Sequence, residues 1–326
     1  MNNFWQRLNK PIVGLAPMDG VTDVAMRHTF SRSTSPDVIF TEQVSVEAVV
    51  QAFSEIRDRL QYSKIGRPVV AQLSGYDPAY YYPAAKKVLE LGFDGIDINL
   101  GCPVKAFNKK GGRRGAGLIG EYETVEKVVV AVRKAIDDSG AGIPLSVKTR
   151  TGIKKHQTEE WVGFLADLPV DAIILHGRTF KQGYTGKADW DEIAKGAKIA
   201  HRGGKIFLGN GDVGSRGKAE KLCQKYGTDG VLIGRAARGN PWVFCKDDTS
   251  TMTSTTTIRI VGVREKRINT LLEHAKYFEK VRGRRPFVEF RKHIGWYLKG
   301  FAGAKALRSR LILVENLPEL KKGLAG

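Results

Sequence analysis

The sequence predicts an α/β fold, a (β/α)8 TIM barrel with a small all-helical domain after it. Short Val/Ile/Leu-rich runs recur about eight times, and a helical or turn segment follows each. Near-continuous apolar strands are typical of a parallel sheet covered on both faces, and eight such units over roughly 250 residues suit one barrel. A doubly wound open sheet is the alternative. A change of composition after residue 246 predicts the appended domain.

Predicted strands and helices alternate along the barrel. The strands cover residues 12–18, 38–44, 69–73, the first part of 95–103, 145–149, 172–175, 206–208 and 231–233. The helices cover residues 23–30, 45–60, 121–138 and 158–168, and a further helix opens at Asp77-Pro78. Polar and glycine residues follow the strands, at the face where barrel enzymes build their sites.

Cys102 ends the fourth strand, in the segment GIDINLGCP. The chain turns just before it at Gly101, which lacks a Cβ atom and can adopt angles that other residues avoid. The ordinary role of a free cysteine is a small buried hydrophobe. The basic, glycine-rich segment 105–117 favours a reactive acid, base or nucleophile instead, because nearby cations favour the thiolate.

Other strand ends predict an anionic ligand. Lys148 could hold a phosphate or donate to an anionic ring, and His176 could donate to the same ligand. The glycine-rich ends at 209–214 and 234–235 belong to the last two units, where barrels frequently bind phosphate. A phosphorylated cofactor is therefore predicted, although spacing alone does not say which one.

The net charge of the 326 residues is +19. Such an excess favours a polyanionic partner, either nucleic acid or an anionic membrane surface. No long apolar span and no secretory signal are visible, so a cytoplasmic protein is expected. The three cysteines lie far apart and the six histidines are scattered, so no metal site is predicted.

The predicted barrel covers residues 1–246. The region after it is divided in two. Residues 247–257 form a Ser/Thr run that predicts a linker, and residues 258–326 predict helices at 258–281, 287–298 and 304–313. The last 69 residues hold 17 Lys and Arg against 6 Glu. Basic residues there, including Arg284, Arg285 and Arg291, lie among aromatic residues and predict contact with RNA or DNA.

Eight motifs occur along the chain in a fixed order. They are APMDGVTD from Ala16, QLSG from Gln72, DINLGCP from Asp97, KTRTG from Lys148, HGRT from His176, WDEI from Trp190, NGD from Asn210 and IGRAARGNPW from Ile233. Together they resemble the tRNA-dihydrouridine synthases, of bacterial type, over nearly the whole barrel. The basic helical region is similar to that family's tRNA-binding domain.

The resemblance implies a flavoenzyme that reduces a uridine in tRNA. FMN would lie at the barrel mouth and be reduced by NADPH, with NADH possible. A hydride would pass from flavin N5 to C6 of the uridine, and Cys102 would protonate C5. The residues that this resemblance assigns to FMN are Ala16, Pro17, Met18, Gln72, Lys148, His176, Asn210, Gly211, Asp212, Gly234 and Arg235.

The resemblance also implies residues on the tRNA side. Asn99 would meet the uracil, and Arg178 would contact substrate or phosphate. In the basic loop, Lys109, Arg113 and Arg114 are expected to face RNA. Cys102 must carry a proton to act as an acid, whereas cations beside it favour the thiolate. A loop that closes only over bound RNA would resolve this conflict.

Two departures from the family pattern leave the subfamily and the modified uridine open. The KKGGRR run has more consecutive basic residues than is usual after GCP, and the Ser/Thr run is unfamiliar. Two rival functions also remain: another FMN barrel, such as a dihydroorotate or dihydropyrimidine dehydrogenase, and a tRNA-binding or folding protein that keeps the barrel as a scaffold. A monomer without a stable protein partner is expected.

Overall fold

The barrel is closed in the computed structural model, which describes residues 3–34, 36–63, 65–104, 112–246, 257–283 and 285–325. Eight parallel strands in these ranges pair in chain order, and β8 pairs with β1. The strands are β1 Ile12–Leu15, β2 Ile39–Ser45, β3 Val69–Ser74, β4 Gly95–Leu100, β5 Leu145–Arg150, β6 Ala172–His176, β7 Ile206–Asn210 and β8 Gly230–Ile233. The predicted (β/α)8 barrel is therefore confirmed.

Helices alternate with the strands and then continue alone. In the barrel they are α1 Val24–Ser33, α2 Val46–Gln51, α3 Phe53–Ile56, α4 Tyr81–Glu90, α5 Tyr122–Ser139, α6 Thr158–Asp167, α7 Trp190–Arg202 and α8 Arg216–Tyr226. After the barrel they are α9 Thr257–Val281, α10 Arg291–Tyr297, α11 Ala304–Leu311 and α12 Leu317–Ala325. The predicted helical character of the C-terminal region is confirmed.

Apolar residues on the two faces of the strands form two separate clusters. Alternate residues of β1 illustrate the pattern, because Val13 packs in the large cluster shared with the helices and Ile12 in a smaller one. The smaller cluster includes Phe4 and Trp5 from the N-terminal 3-10 turn Phe4–Gln6. Successive side chains of a strand point to opposite faces, which is why neighbouring residues of β1 belong to different clusters. The carboxyl ends of the strands are left for polar side chains.

Several segments differ from the sequence prediction; for example, residues 287–290 of the helix predicted over 287–298 form a 3-10 turn. The helix predicted over residues 45–60 is broken at Ala52, whose backbone leaves the helical region, into α2, α3 and the 3-10 turn Arg57–Leu60. The residues after 313, for which no helix was predicted, contain α12, which begins after Asn316. The Asn316 side chain accepts a hydrogen bond from the Glu319 amide at 2.9 Å, so this helix start carried a capping signal.

The C-terminal helices share an apolar cluster with the barrel. This cluster holds Phe278, Phe290 and Leu311 together with Ala25 of α1. The Ser/Thr linker predicted at 247–257 lies outside the described residues except for Thr257, which begins α9. The division into two domains therefore stays a prediction. None of the helices in the described ranges is long and apolar enough to cross a membrane.

Candidate active site

A cavity of about 610 Å³ lies at the carboxyl ends of the barrel strands. Its size is in the range of small-molecule and cofactor sites. Asn99 and Cys102 line it. So do all eleven residues assigned to the cofactor: Ala16, Pro17, Met18, Gln72, Lys148, His176, Asn210, Gly211, Asp212, Gly234 and Arg235. The closed barrel brings together residues that are more than 200 positions apart in sequence.

The turn after β7 forms one wall of the cavity and requires an unusual backbone. Gly211 has a φ of 125°, and a Cβ atom there would lie 2.6 Å from the Ala188 Cβ. Asp212 follows in the left-handed region, with a φ of 56°. Its carboxylate accepts hydrogen bonds from the Ala188 amide, Arg178 and Arg235 at 2.6 to 2.8 Å. These contacts hold the turn in its strained conformation.

Basic side chains lie close together in the cavity, among them half-buried Lys148 and buried Arg150 and His176. Burial, followed by the neighbouring Arg150, lowers the pKa of Lys148 to about 8. Burial together with Arg150 and Lys148 holds the pKa of His176 well below its usual value, so this imidazole is neutral at pH 7. The Lys148 ammonium donates to the Asn210 side-chain oxygen at 3.2 Å. An anion bound here would relieve the repulsion among these groups.

A chain of hydrogen-bonded polar side chains crosses the cavity floor. Asp97 is fully buried and accepts from the Gln72 amide group at 2.7 Å and from the Ser146 hydroxyl at 2.6 Å. Asn99 donates to the Gln72 oxygen at 2.9 Å and to the Gln43 oxygen at 3.0 Å. Burial raises the pKa of Asp97 to about 7, against the lowering effect of its hydrogen bonds.

Cys102 lies at the end of this chain and is half-buried. The amide groups of Gly101 and Cys102 donate to the Asn99 side-chain oxygen at 3.0 and 2.8 Å. The Cys102 carbonyl accepts from the Ala116 amide at 3.0 Å. The Gln43 amide group lies 3.5 Å from the Cys102 sulfur. The thiol is thus held on a fixed backbone and faces the cavity that it lines.

Several cavity residues were not predicted from the sequence. Gln43, Arg150, Tyr184 and Arg238 all line the cavity. Tyr184 lies in the loop after β6, with its ring 4.9 Å from the Arg235 guanidinium carbon. Gln43 could have been found, because it is a polar residue near the end of a strand. The position of Tyr184 depends on how its loop folds, and no local pattern indicates it.

Arg178, for which a substrate or phosphate contact was predicted, lies inside the protein. It is 1% exposed and is absent from the cavity lining. Its guanidinium donates to Asp212 at 2.6 Å and to the Thr185 and Gly186 carbonyls at 3.1 and 2.6 Å. Arg178 therefore holds the β7 turn and the β6 loop in place from inside the protein.

Arg113 and Arg114, two further predicted tRNA residues, are absent from the cavity lining. Arg113 pairs with Glu121, and the Arg114 guanidinium carbon lies 4.9 Å from the Tyr76 ring. Lys109 and Arg284 lie outside the described residues.

Two predicted tRNA residues of the C-terminal region are engaged within the protein. Arg285 pairs with buried Asp23 at 3.1 Å. Arg291 donates to the Leu313 and Val314 carbonyls, both at 2.8 Å. These two arginines therefore join parts of the protein to one another, and a contact of Arg285 with tRNA is tested below.

The fold and the position of the cavity are those of a (β/α)8-barrel enzyme with its site at the carboxyl ends of the strands. Comparison with known proteins specifies the family. The family model described as "Dihydrouridine synthase (Dus)" matches residues 14–324. This chain belongs to the dihydrouridine synthase family.

Two relatives of similar length carry the name of this family, and a solved structure shares the fold. A probable tRNA-dihydrouridine synthase of Staphylococcus aureus (strain COL) is 30% identical, over 98% of this chain and 94% of that protein. The probable tRNA-dihydrouridine synthase 2 of Bacillus subtilis (strain 168) is 31% identical over the same shares. The solved structure of histamine dehydrogenase from Rhizobium sp. 4-9 is similar in fold, with a TM-score of 0.54 and 15% identity; the match covers 81% of this chain and 48% of that one.

Proposed function

We propose that this protein is a tRNA-dihydrouridine synthase, which reduces the C5–C6 double bond of specific uridines in tRNA with FMN and NADPH. One observation carries the proposal: Cys102 and Asn99 line the same cavity as the whole set of residues assigned to the cofactor. Membership of the dihydrouridine synthase family supports it. We further propose that the protein acts as a cytoplasmic monomer.

The residues of the cavity fit a flavin mononucleotide. Ala16, Pro17 and Met18 offer an apolar surface for the ring, and Gln72 offers an amide group at its edge. The carboxylates that line the cavity, Asp19 and Asp212, are each already paired with an arginine. The lining therefore has a surplus of cations that suits a phosphate ester.

The phosphate would lie at the ends of β7 and β8. Gly234 precedes the 3-10 turn Arg235–Ala237, whose first amide groups have no acceptor within the turn itself. A Cβ atom on Gly234 would lie 3.7 Å from Ala16, so the backbone is open on that side. Asn210, Gly211 and Asp212 would hold the ribityl chain and phosphate from the β7 turn.

FMN held by these residues would supply the hydride chemistry at C6 of the uracil, with NADPH as the source of the electrons. The protein supplies the matching proton: the S–H bond of Cys102 breaks, its proton goes to C5, and the electron pair stays on sulfur. A solvent proton then restores the thiol. One NADPH and one proton are consumed for each dihydrouridine formed. Asn99, fixed by the Gly101 and Cys102 amides, would lie beside the uracil.

Access to the cavity requires that the target uridine leave its stack. A nucleotide in a tRNA loop does this at the lowest cost, and a basic protein surface around the cavity would hold the backbone. The net charge of +19 supports such a surface. Lys109, Arg113 and Arg114 remain the proposed contacts of the loop after Cys102, and Arg284, Arg285 and Arg291 those of the C-terminal region.

Single-turnover kinetics would test this function. Enzyme reduced with NADPH is mixed with unmodified tRNA, and dihydrouridine is measured by mass spectrometry of the digested RNA. We expect the wild type to form dihydrouridine, and Cys102→Ala to slow its formation by roughly 10²–10⁴-fold because the proton donor is lost. Flavin reduction by NADPH should be unchanged. Cys245→Ala is the control and should behave as the wild type.

Each rival function has its own signature in the same experiment. If the reduced wild type leaves tRNA unmodified but reduces free uracil or orotate, the protein is a small-pyrimidine dehydrogenase. If it binds tRNA but neither binds flavin nor turns over, it is a binding protein on a barrel scaffold. Either result would overturn the proposal.

A further inference from the structure

We propose that Gln43 is a positioning residue for Cys102, whose thiol proton it directs into the cavity by donating a hydrogen bond to the sulfur atom. The inference rests on the proposed role of Cys102 as proton donor. Gln43 was absent from the predicted site, and it is half-buried on β2 with its amide group 3.5 Å from the Cys102 sulfur. That distance is within the range of hydrogen bonds to sulfur.

The orientation of Asn99 determines which end of the Gln43 side chain faces sulfur. Oxygen and nitrogen of a side-chain amide are distinguished by their partners. Two backbone N–H groups, of Gly101 and Cys102, donate to one Asn99 atom, which must therefore be the oxygen. The other Asn99 atom is the nitrogen, and it donates to both Gln72 and Gln43.

Asp97 fixes the same chain from its other end. The Gln72 atom that faces Asp97 at 2.7 Å must be the nitrogen, because the carboxylate only accepts. Protonation of Asp97 keeps this arrangement, since the added proton can point to the Ser146 hydroxyl, 2.6 Å from the other oxygen. The Gln72 oxygen then faces Asn99. The contacts of Asp97 and those of the Gly101 and Cys102 amides therefore require the same orientation of the side-chain amide groups.

Gln43 is left with its nitrogen towards Cys102. Its oxygen accepts from Asn99, so the group that meets the sulfur is an NH₂ donor without a lone pair to accept. The Cys102 S–H cannot point at Gln43 and must point elsewhere. Cys102 lines the cavity, where the substrate carbon would lie. After proton transfer, the same N–H stabilises the thiolate.

Lys148 and Arg150 of β5 both interact electrostatically with the Cys102 thiol. From the opposite side, the 3-10 turn Gly115–Leu118 contributes no charged side chain. Cations on β5 remain in every Gln43 variant, so a change in thiol reactivity reports the lost N–H donor.

Alkylation of the cysteines by iodoacetamide tests the inference without tRNA. The holoenzyme is alkylated between pH 6 and 10, and mass spectrometry of the tryptic peptides gives a separate rate for each cysteine. Gln43→Met keeps the approximate size but removes the donor, and Gln43→Glu places a carboxylate beside the sulfur. We expect the Cys102 rate at pH 7 to fall about threefold to tenfold in Gln43→Met and further in Gln43→Glu.

The form of the pH profile separates this inference from a general structural effect. A lost donor moves the midpoint of the Cys102 profile to higher pH and leaves the plateau and the Cys245 rate unchanged. An unchanged midpoint in both variants would overturn the inference, and so would a parallel change at Cys245, which reports a loosened fold. Wild-type tRNA turnover, measured separately, decides the proposed function independently.

Discussion

The cavity and the C-terminal helices are both rich in basic side chains, but the two regions use them differently. In the cavity, Lys148, Arg235 and Arg238 reach the lining, where a ligand can meet them. In the C-terminal region, Arg285 and Arg291 are engaged by the protein itself. A basic sequence therefore indicates charge, whereas the position of each residue decides whether the charge can be offered to a partner.

The difference follows from the architecture of each region. Side chains at the carboxyl ends of parallel strands converge on one point, whatever their chemistry. Side chains of short packed helices project in all directions, and many meet neighbouring backbone. Arg308, for example, donates to the Leu298 carbonyl and Arg310 to the Gly323 carbonyl. The sequence does not indicate which face of these helices stays free.

Removal of Arg178 should have the largest effect on stability. Arg178→Met leaves the Thr185 and Gly186 carbonyls without their donor and removes one of the two arginines paired with Asp212. We expect the free energy of unfolding to fall by about 3 kcal/mol, measured by urea denaturation. Arg202→Met, at an exposed position of α7, is the control and should stay within about 0.5 kcal/mol. Equal losses of unfolding free energy in the two variants would mean that buried Arg178 stabilises the protein no more than an exposed arginine.

Replacement of Asp97 tests the cavity floor through pH. The pKa of Asp97 in the folded protein, about 7, lies above its ordinary value, so the native state binds a proton that the unfolded state lacks. Its contribution to stability is present below the unfolded pKa and is lost as pH rises through 7. Between pH 5 and 8, we expect the wild type to lose about 2 kcal/mol relative to Asp97→Asn.

Urea denaturation at the two pH values measures this difference. Asp167→Asn, on an exposed part of α6, is the control and should follow the wild type at both. The prediction would be wrong if Asp97→Asn showed the same pH dependence as that control.

Replacement of Arg285 should have the smallest effect on stability of these three replacements. It tests most directly whether a basic residue of the C-terminal helices contacts tRNA. Arg285→Met removes the partner of buried Asp23 and should lower the free energy of unfolding by about 1–2 kcal/mol. If its side chain only joins α1 to the C-terminal region, the dependence of tRNA affinity on salt should not change. A slope of log affinity against log salt reduced by about one would instead identify a phosphate contact. Arg264→Met, exposed on α9, is the matched control.

Some residues of the site could be predicted from the sequence, and others could not. Lys148, His176 and Gly211 could be assigned to it because each lies in a motif at or just after the end of a recognisable strand. Gln43 and Tyr184 were missed, since their proximity to Cys102 and Arg235 depends on a neighbouring strand and on a folded loop. Arg178 belonged to a motif, yet its side chain is buried behind the lining residue Asp212 and does not reach the cavity itself. A motif predicts that a residue lies at a strand end, but it does not predict where the side chain points.

The sequence by itself determined the barrel, the helical character of the C-terminal region and the position of Cys102 at a strand end. These features depend on hydrophobic periodicity and turn residues, which are local properties of a chain. The tertiary structure alone decided which polar atoms meet: the carboxamide chain from Asp97 to Gln43, and the burial of Arg178 and Arg285. Such contacts join residues from different elements, and their hydrogen bonds and burial exist only when the chain has closed into the barrel.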